Sequence, residues 1–403
     1  MKNLFHVMSK VANLSGALLI ASATSALAFQ EEGTVRIGVT ESQTGLFAPY
    51  GLPGLWGSQI AVEEINEAGG VTIDGKQVLM EITPSPNGYD PAGDPAQNIV
   101  LIKRLMNDDQ VLMVKGLSAS TIGTAVYNYL NELEAEGNPI VVHSSAVGAP
   151  GLPGISKWGF RNTFSEVNVV PRVAKAVKEA YDIKTAGFLI MQDNPYFSSI
   201  AENAIMPALK ELGIEVKVVT EGVSSDRDFT RQVDALRSAD VDVVYILAGA
   251  QPGVIFMKEA RRRGLEPKAF VGGISQLTPD TLQTGSDAVE GMIMAGSYDP
   301  ASPLMEGLSA KYKERFGRDL NLFAVNGYEA MYLIKNAIEI STINNTPETL
   351  KEDREKLRDA LADASIISVT GEEIKFDDVG DTPKVGVILH IKDGAFQAWP
   401  GAE

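Results

Sequence analysis

From residue 34 onward the chain alternates between two hydrophobic rhythms. Residues 34–40 (TVRIGVT) alternate apolar and polar positions with period two, as a half-buried strand does, and residues 55–68 repeat apolar positions at helical spacing. Residues 78–83 read as a strand, 96–106 as a helix, 111–114 as a strand, 120–135 as a helix and 140–143 as a strand. This repeated alternation predicts a parallel sheet with helices packed on both faces.

A Gly/Pro-rich stretch at 148–159 interrupts the pattern, which then restarts. Strands are expected at 186–191, 216–220, 241–247 and 269–271, with helices at 198–212, 229–237 and 254–263. After 289–295 the pattern turns helical, at 303–316, 324–340 and 347–364, and the tail at 373–376, 385–391 and 395–399 reads as short antiparallel strands. The fold class is α/β, with two lobes of the doubly wound, Rossmann-like kind and a late helical segment. No internal repeat, low-complexity tract or heptad pattern competes with it.

The residues ahead of this pattern differ in character. Residues 1–28 carry Lys2 and Lys10 without an acid, an apolar stretch through Leu18, Leu19 and Ile20, and the ending Ala26-Leu27-Ala28, which is the pattern of a cleavable secretory signal. The stretch is too short and too rich in Ser and Ala to span a bilayer core of about 30 Å. No later run approaches the roughly 18 consecutive apolar residues of a spanning helix, so no membrane insertion is expected. The chain is expected to be free in the periplasm of a Gram-negative cell.

Composition narrows the chemistry. The formal charge of −17, from 52 acidic and 35 basic residues, disfavours nonspecific attraction to nucleic acid or anionic lipid. With no cysteine there is no disulfide, thiolate metal site, thiol nucleophile or lipidated N-terminal Cys, and three histidines (His6, His143, His390) are too few for a His-rich metal site. Neither metal nor cofactor is expected. No G-x-S-x-G, G-x-G-x-x-G, P-loop or H-E-x-x-H motif occurs, so no catalytic residue is assigned and an enzyme is not expected. The glycines at 51, 54 and 57 read as a turn feeding a helix, and His143, at a strand end, as a hydrogen-bonded structural residue.

What remains is a set of small polar residues just after strand ends, where open α/β sheets bind ligands. Lys115-Gly116-Leu117-Ser118-Ala119-Ser120-Thr121 precedes a helix, and its hydroxyls and first-turn N–H groups suit a carboxylate; capping by Ser118 or Ser120 is the other reading of the same residues. His143-Ser144-Ser145-Ala146-Val147-Gly148 forms a second loop of donors without bulk.

The opening strand followed by Glu41-Ser42-Gln43-Thr44-Gly45-Leu46-Phe47-Ala48-Pro49-Tyr50-Gly51, and then the run AVEEINEAGGV at 61–71, resembles the type 1 periplasmic binding proteins, in particular the branched-chain amino acid (Leu/Ile/Val-binding) group of ABC importer receptors. Asp90-Pro91, Phe160-Arg161-Asn162-Thr163, Asp193 with Tyr196, Arg227-Asp228-Phe229 and Val289-Glu290-Gly291 continue the match in the family's order to the end of the chain. The resemblance implies two lobes joined by a three-segment hinge, with crossings near Arg161, Ile293 and Glu373, late helices returning to the first lobe and final strands to the second. Lobe 1 is then 29–160 plus 294–372, and lobe 2 is 161–293 plus 373–403.

Carried over by position, the resemblance implies ligand contacts at Tyr50, at Ser120 with Ser118 and Thr121 beside it, at Ser144, Ala146 and Gly148, and at Tyr196, Gln251 and Ile274. Two positions depart from amino acid receptors: Gly148 stands where a Thr is usual, and Ile274 where an acid usually meets the ligand ammonium. Glu41, Asp193 and Asp299 are the acids left to pair one. The expected ligand is a small carboxylate-bearing molecule, either amino acid-like or an aliphatic or aromatic acid or amide without an ammonium. The expected role is that of a monomeric solute receptor delivering to an inner-membrane ABC permease. A ligand sensor of the same fold serving a signalling partner is the alternative, and a secreted α/β enzyme a weaker one.

Overall fold

The computed structural model describes residues 34–163 and 166–402. The expected signal segment lies outside these described residues.

The first sheet is built from β1 (Thr34–Thr40), β2 (Val71–Ile73), β3 (Lys76–Thr83), β4 (Met113–Gly116), β5 (Val142–Ser144) and β6 (Gly159–Arg161), in the order β2-β3-β1-β4-β5-β6. All pairings are parallel except the β2–β3 hairpin. β4 and β5 are buried along their whole length, as a sheet covered on both faces requires. The chain continues through β7 (Thr185–Met191), β8 (Glu215–Gly222), β9 (Val243–Leu247), β10 (Ala269–Gly272) and β11 (Ile293–Gly296), then the small antiparallel pair β12 (Ser365–Ile367) and β13 (Glu373–Lys375), and ends on β14 (Val387–Lys392) and β15 (Ala395–Ala398). The second sheet runs β15-β14-β11-β10-β9-β7-β8, with β14 antiparallel to both its neighbours. Two parallel sheets flanked by helices match the expected α/β architecture.

The glycine cluster differs from expectation. Residues 51–57 lie within one helix, Ala48–Glu67, which packs along the late helix Leu322–Ile340. A Cβ on Gly57 would stand 1.9 Å from the Ala324 carbonyl oxygen, and one on Gly327 2.1 Å from that of Gly54. The glycines are there for backbone approach, which outweighs their low helix propensity. The Ser58 hydroxyl lies 2.8 Å from the Gly54 carbonyl and 3.0 Å from that of Gly327, its single proton shared between the two helices. Another difference is the helix Val170–Tyr181, which the pattern did not reveal.

Sheet membership also differs from the expected crossings. β11 carries the chain in the second sheet to Gly296, past residue 293. Residues 376–384 remain against the first lobe: the Gly380 carbonyl accepts the Arg161 N–H of β6, Phe376 packs edge-on against Phe160, and Lys384 Nζ bonds to Asn326 and Glu329 of the late helix. The final passage to the second sheet comes after Lys384, because this buried polar contact and aromatic packing hold the segment to the first.

Candidate functional site

The C-terminal ends of β4 and β5 face the loops after β7 and β10 across the gap between the sheets. Phe47, Tyr50, Ser118, Ala119, Ser120, Ala146, Gly148 and Phe323 come from the first side, and Asn194, Tyr196, Ile274 and Ser275 from the second. They enclose a narrow cavity of about 30 Å³. Phe47, Tyr50, Asn194 and Ser275 also line an outer crevice of about 440 Å³, a size suited to a small molecule.

Of the residues named from the sequence, Tyr50, Ser118, Ser120, Ala146, Gly148, Tyr196 and Ile274 share the inner cavity. Gln251 lies in the outer crevice, where its side-chain oxygen accepts from Arg227. Thr121 and Ser144 line neither. The Ser144 hydroxyl is used within its own loop, donating to Leu117 O at 3.0 Å and accepting from the N–H groups of Ala146 and Val147. Phe47, Asn194, Ser275 and Phe323 are wall residues that sequence reasoning missed. Asn194-Pro195 carried a signal, since Asn194 caps the helix Pro195–Ile200; Phe323 carried none.

The helix Ser120–Ala135 begins at this wall with Ala119 in the cap position and no side chain capping it. Ser118 and Ser120 are therefore not its caps. The Ser120 hydroxyl oxygen instead accepts the Ala149 N–H at 3.1 Å. Tyr50 reaches across the gap, where its hydroxyl accepts the Ala250 N–H and donates to the Ser275 carbonyl, both at 3.4 Å, and its ring packs 5.0 Å from that of Phe323. Burial pushes the Tyr50 phenol up to about 12, partly offset by the Ala250 N–H. The Tyr196 hydroxyl is buried with no protein partner. A Cβ on Gly148 would meet the Tyr196 ring at 3.2 Å and Ile274 Cδ1 at 3.3 Å, so the missing side chain is what lets the two walls approach.

None of the three acids considered for an ammonium reaches the inner cavity. Glu41 is fully buried beneath it and paired with Lys115 at 2.5 Å. Asp193 accepts from the N–H and hydroxyl of Ser224, and Asp299 from the Ala301 N–H. His143 is also corrected. Both its ring nitrogens are buried without a hydrogen-bond partner, and its ring packs edge-on to Phe376. Burial, with Lys115 and Lys384 nearby, pushes its pKa down to about 3.

A family model described as periplasmic binding protein matches residues 34–394. The chain belongs to this family. Among relatives of this periplasmic binding protein is the leucine-, isoleucine-, valine-, threonine- and alanine-binding protein of Pseudomonas aeruginosa, 26% identical over 358 residues and aligned over 86% of this chain and 87% of the relative. A branched-chain amino acid transporter substrate binding protein from Streptococcus pneumoniae, solved in complex with isoleucine, superposes with a TM-score of 0.77 at 21% identity, covering 91% of this chain and 98% of that one. A solute binding protein from Rhodopseudomonas palustris in complex with 3,4-dihydroxy benzoic acid gives 0.73 at 20% identity, covering 91% and 96%. These likenesses establish the fold. Among the described residues no helix is long and apolar enough to cross a membrane, and no three His, Asp or Glu side chains cluster as a metal site would require.

Proposed function

We propose that this periplasmic binding protein is a solute receptor that traps a small carboxylate without an ammonium group between its lobes and delivers it to an inner-membrane ABC permease. The observation that carries this reading is the charge character of the cavity wall. One side offers an uncapped helix start and the Ser120 hydroxyl; the other offers Ile274, and among the described residues no acid lines the inner cavity. Such donors suit an anion. A buried ammonium there would lack a counter-charge, at a cost of several kcal/mol. The receptor acts as a monomer in the periplasm, exported by its N-terminal signal, and carries out no chemical step.

A free amino acid is the second reading, favoured by the names of the relatives. Mass spectrometry of the small molecule released on denaturation separates the two, supported by a thermal-shift screen of amino acids, aliphatic acids, aromatic acids and amides. An acid or amide without an ammonium is the expected result. A released amino acid selects the second reading, and a screen in which nothing shifts the transition overturns both.

A further inference from the structure

The ion pair beneath the cavity fixes the direction of one hydrogen bond in its wall. A serine hydroxyl has one proton and two lone pairs. In Ser118 the proton goes to Glu41 Oε2 at 2.8 Å, and one lone pair takes the Ser42 N–H at 2.8 Å. Glu41 is itself anchored. Its other oxygen accepts from Lys115 Nζ at 2.5 Å and from the Ser145 hydroxyl at 3.3 Å, while Lys115 also donates to the Gly54 carbonyl at 3.2 Å. Both charged side chains are fully buried, so neither turns away to solvent.

Ser118 therefore has a single lone pair left for the cavity it lines. Ser120, two residues on, has the opposite polarity. Its oxygen accepts the Ala149 N–H, which leaves its proton to donate. The wall sets an acceptor beside donors, and a simple carboxylate answers only the donors.

We infer that the ligand carries a neutral hydrogen-bond donor on the carbon next to its carboxylate, so that the receptor selects 2-hydroxy acids over the 2-oxo and unsubstituted acids of the same skeleton. Ser118 is the specificity residue and Glu41 the residue that positions its proton. This rests on the carboxylate reading above. A 2-oxo group sets its own lone pairs against that of Ser118, and an unsubstituted acid leaves the Ser118 lone pair unanswered in a buried site. An ammonium would meet the Ser118 oxygen but no net negative charge, since Lys115 neutralises Glu41.

Calorimetric titration of the full mature chain with two series tests this: 2-hydroxy-4-methylpentanoate, 4-methyl-2-oxopentanoate and 4-methylpentanoate; then mandelate, phenylglyoxylate and phenylacetate. In the series that fits, the hydroxy acid is expected to bind about tenfold tighter than its two counterparts. S118A should shrink that gap to about threefold or less. General damage to the site would weaken all members together. E41Q should improve the 2-oxo acid relative to the hydroxy acid, and S118A carries the test alone if E41Q does not fold. Acids that bind without preference, or a uniform loss in S118A, overturn this inference and leave the carboxylate reading intact. Failure of all six to bind overturns the carboxylate reading and this inference together.

Discussion

Arg161 and Asp381 are joined by two charge-assisted hydrogen bonds, Nε to Oδ1 at 2.8 Å and Nη2 to Oδ2 at 2.5 Å. The remaining terminal nitrogen of the fully buried guanidinium donates to the carbonyls of Val147 and Ala149, at 3.2 and 2.7 Å. One side chain thus ties the loop under the cavity to the last stretch of chain before β14.

Arg161→Met should cost about 3–5 kcal/mol of stability, the usual loss when one partner of a buried pair is removed. Arg161→Lys should recover little, because a single ammonium cannot reproduce the bidentate fork. Urea denaturation of the two variants checks both statements, and calorimetry should also show weaker ligand binding, since Ala149 is the residue whose N–H holds Ser120.

Ser120→Ala should weaken binding of a carboxylate ligand by about one to two decades, the value of one charge-assisted hydrogen bond of roughly 1.5–3 kcal/mol. Ala119 holds the cap position, so no cap is lost, but the buried Ala149 N–H loses its acceptor, and the melting temperature should fall by an amount corresponding to about 1–3 kcal/mol. Unchanged affinity with a lowered melting temperature would remove Ser120 from the site.

Ile274→Glu places a carboxylate on a wall that has none among the described residues. For a ligand without an ammonium, affinity should fall by about a decade or more, each 1.4 kcal/mol being tenfold. Titration with leucine and with its 2-hydroxy counterpart reads the result. Tight wild-type binding of leucine alone would reject the preference for a ligand without an ammonium.

Gly57→Ala should be among the most damaging conservative changes in the chain. The added methyl would meet the backbone of Ala324, which no rotamer change relieves. A loss of about 3 kcal/mol or more is expected, visible as a lowered urea midpoint.

His143 is neutral in the folded chain down to about pH 3. The unfolded chain takes up its proton near pH 6.5. As pH falls below 6.5 the unfolded state binds the extra proton, so stability is lost, with a slope approaching about 1.4 kcal/mol per pH unit. Above pH 6.5 this group contributes no slope. His390 is shifted in the same direction by its own burial, so the comparison must be differential: His143→Gln should remove part of the slope that the wild type shows between about pH 6.5 and 5.

Much of the architecture was legible because each sheet strand with five or more residues repeats a local pattern. β2, β6 and β12 have only three residues each, too few to show a period, whereas the equally short β5 was legible because the apolar residues 140–142 run into it. Val170–Tyr181 was missed because Pro171, tolerated near a helix start, reads as a break after a Gly/Pro-rich stretch. The helical role of Gly54 and Gly57 depends on Ala324 and Gly327, a relation that no local window contains. The same limit applies at the site. Tyr50, Ser120 and Gly148 sit in recognisable strand-end segments, whereas Phe323 arrives from a distant helix, and the pairing of Glu41 with Lys115 spans 74 residues.

The glycine contact between the helices Ala48–Glu67 and Leu322–Ile340 bears on how this receptor could be retuned. Tyr50 and Phe323 stand near the starts of those two helices, and the Gly54, Gly57 and Gly327 contacts allow no sliding between them. That half of the cavity is a fixed mould whose dimensions cannot be adjusted one residue at a time. Ligands of another size must be accommodated on the opposite half, where Asn194 and Tyr196 stand at the start of the helix Pro195–Ile200 and Ile274 and Ser275 in a single 3-10 turn. A library confined to those four positions should therefore yield folded variants with new ligand preferences, while one that randomises residues 51–57 should yield mostly unfolded chains.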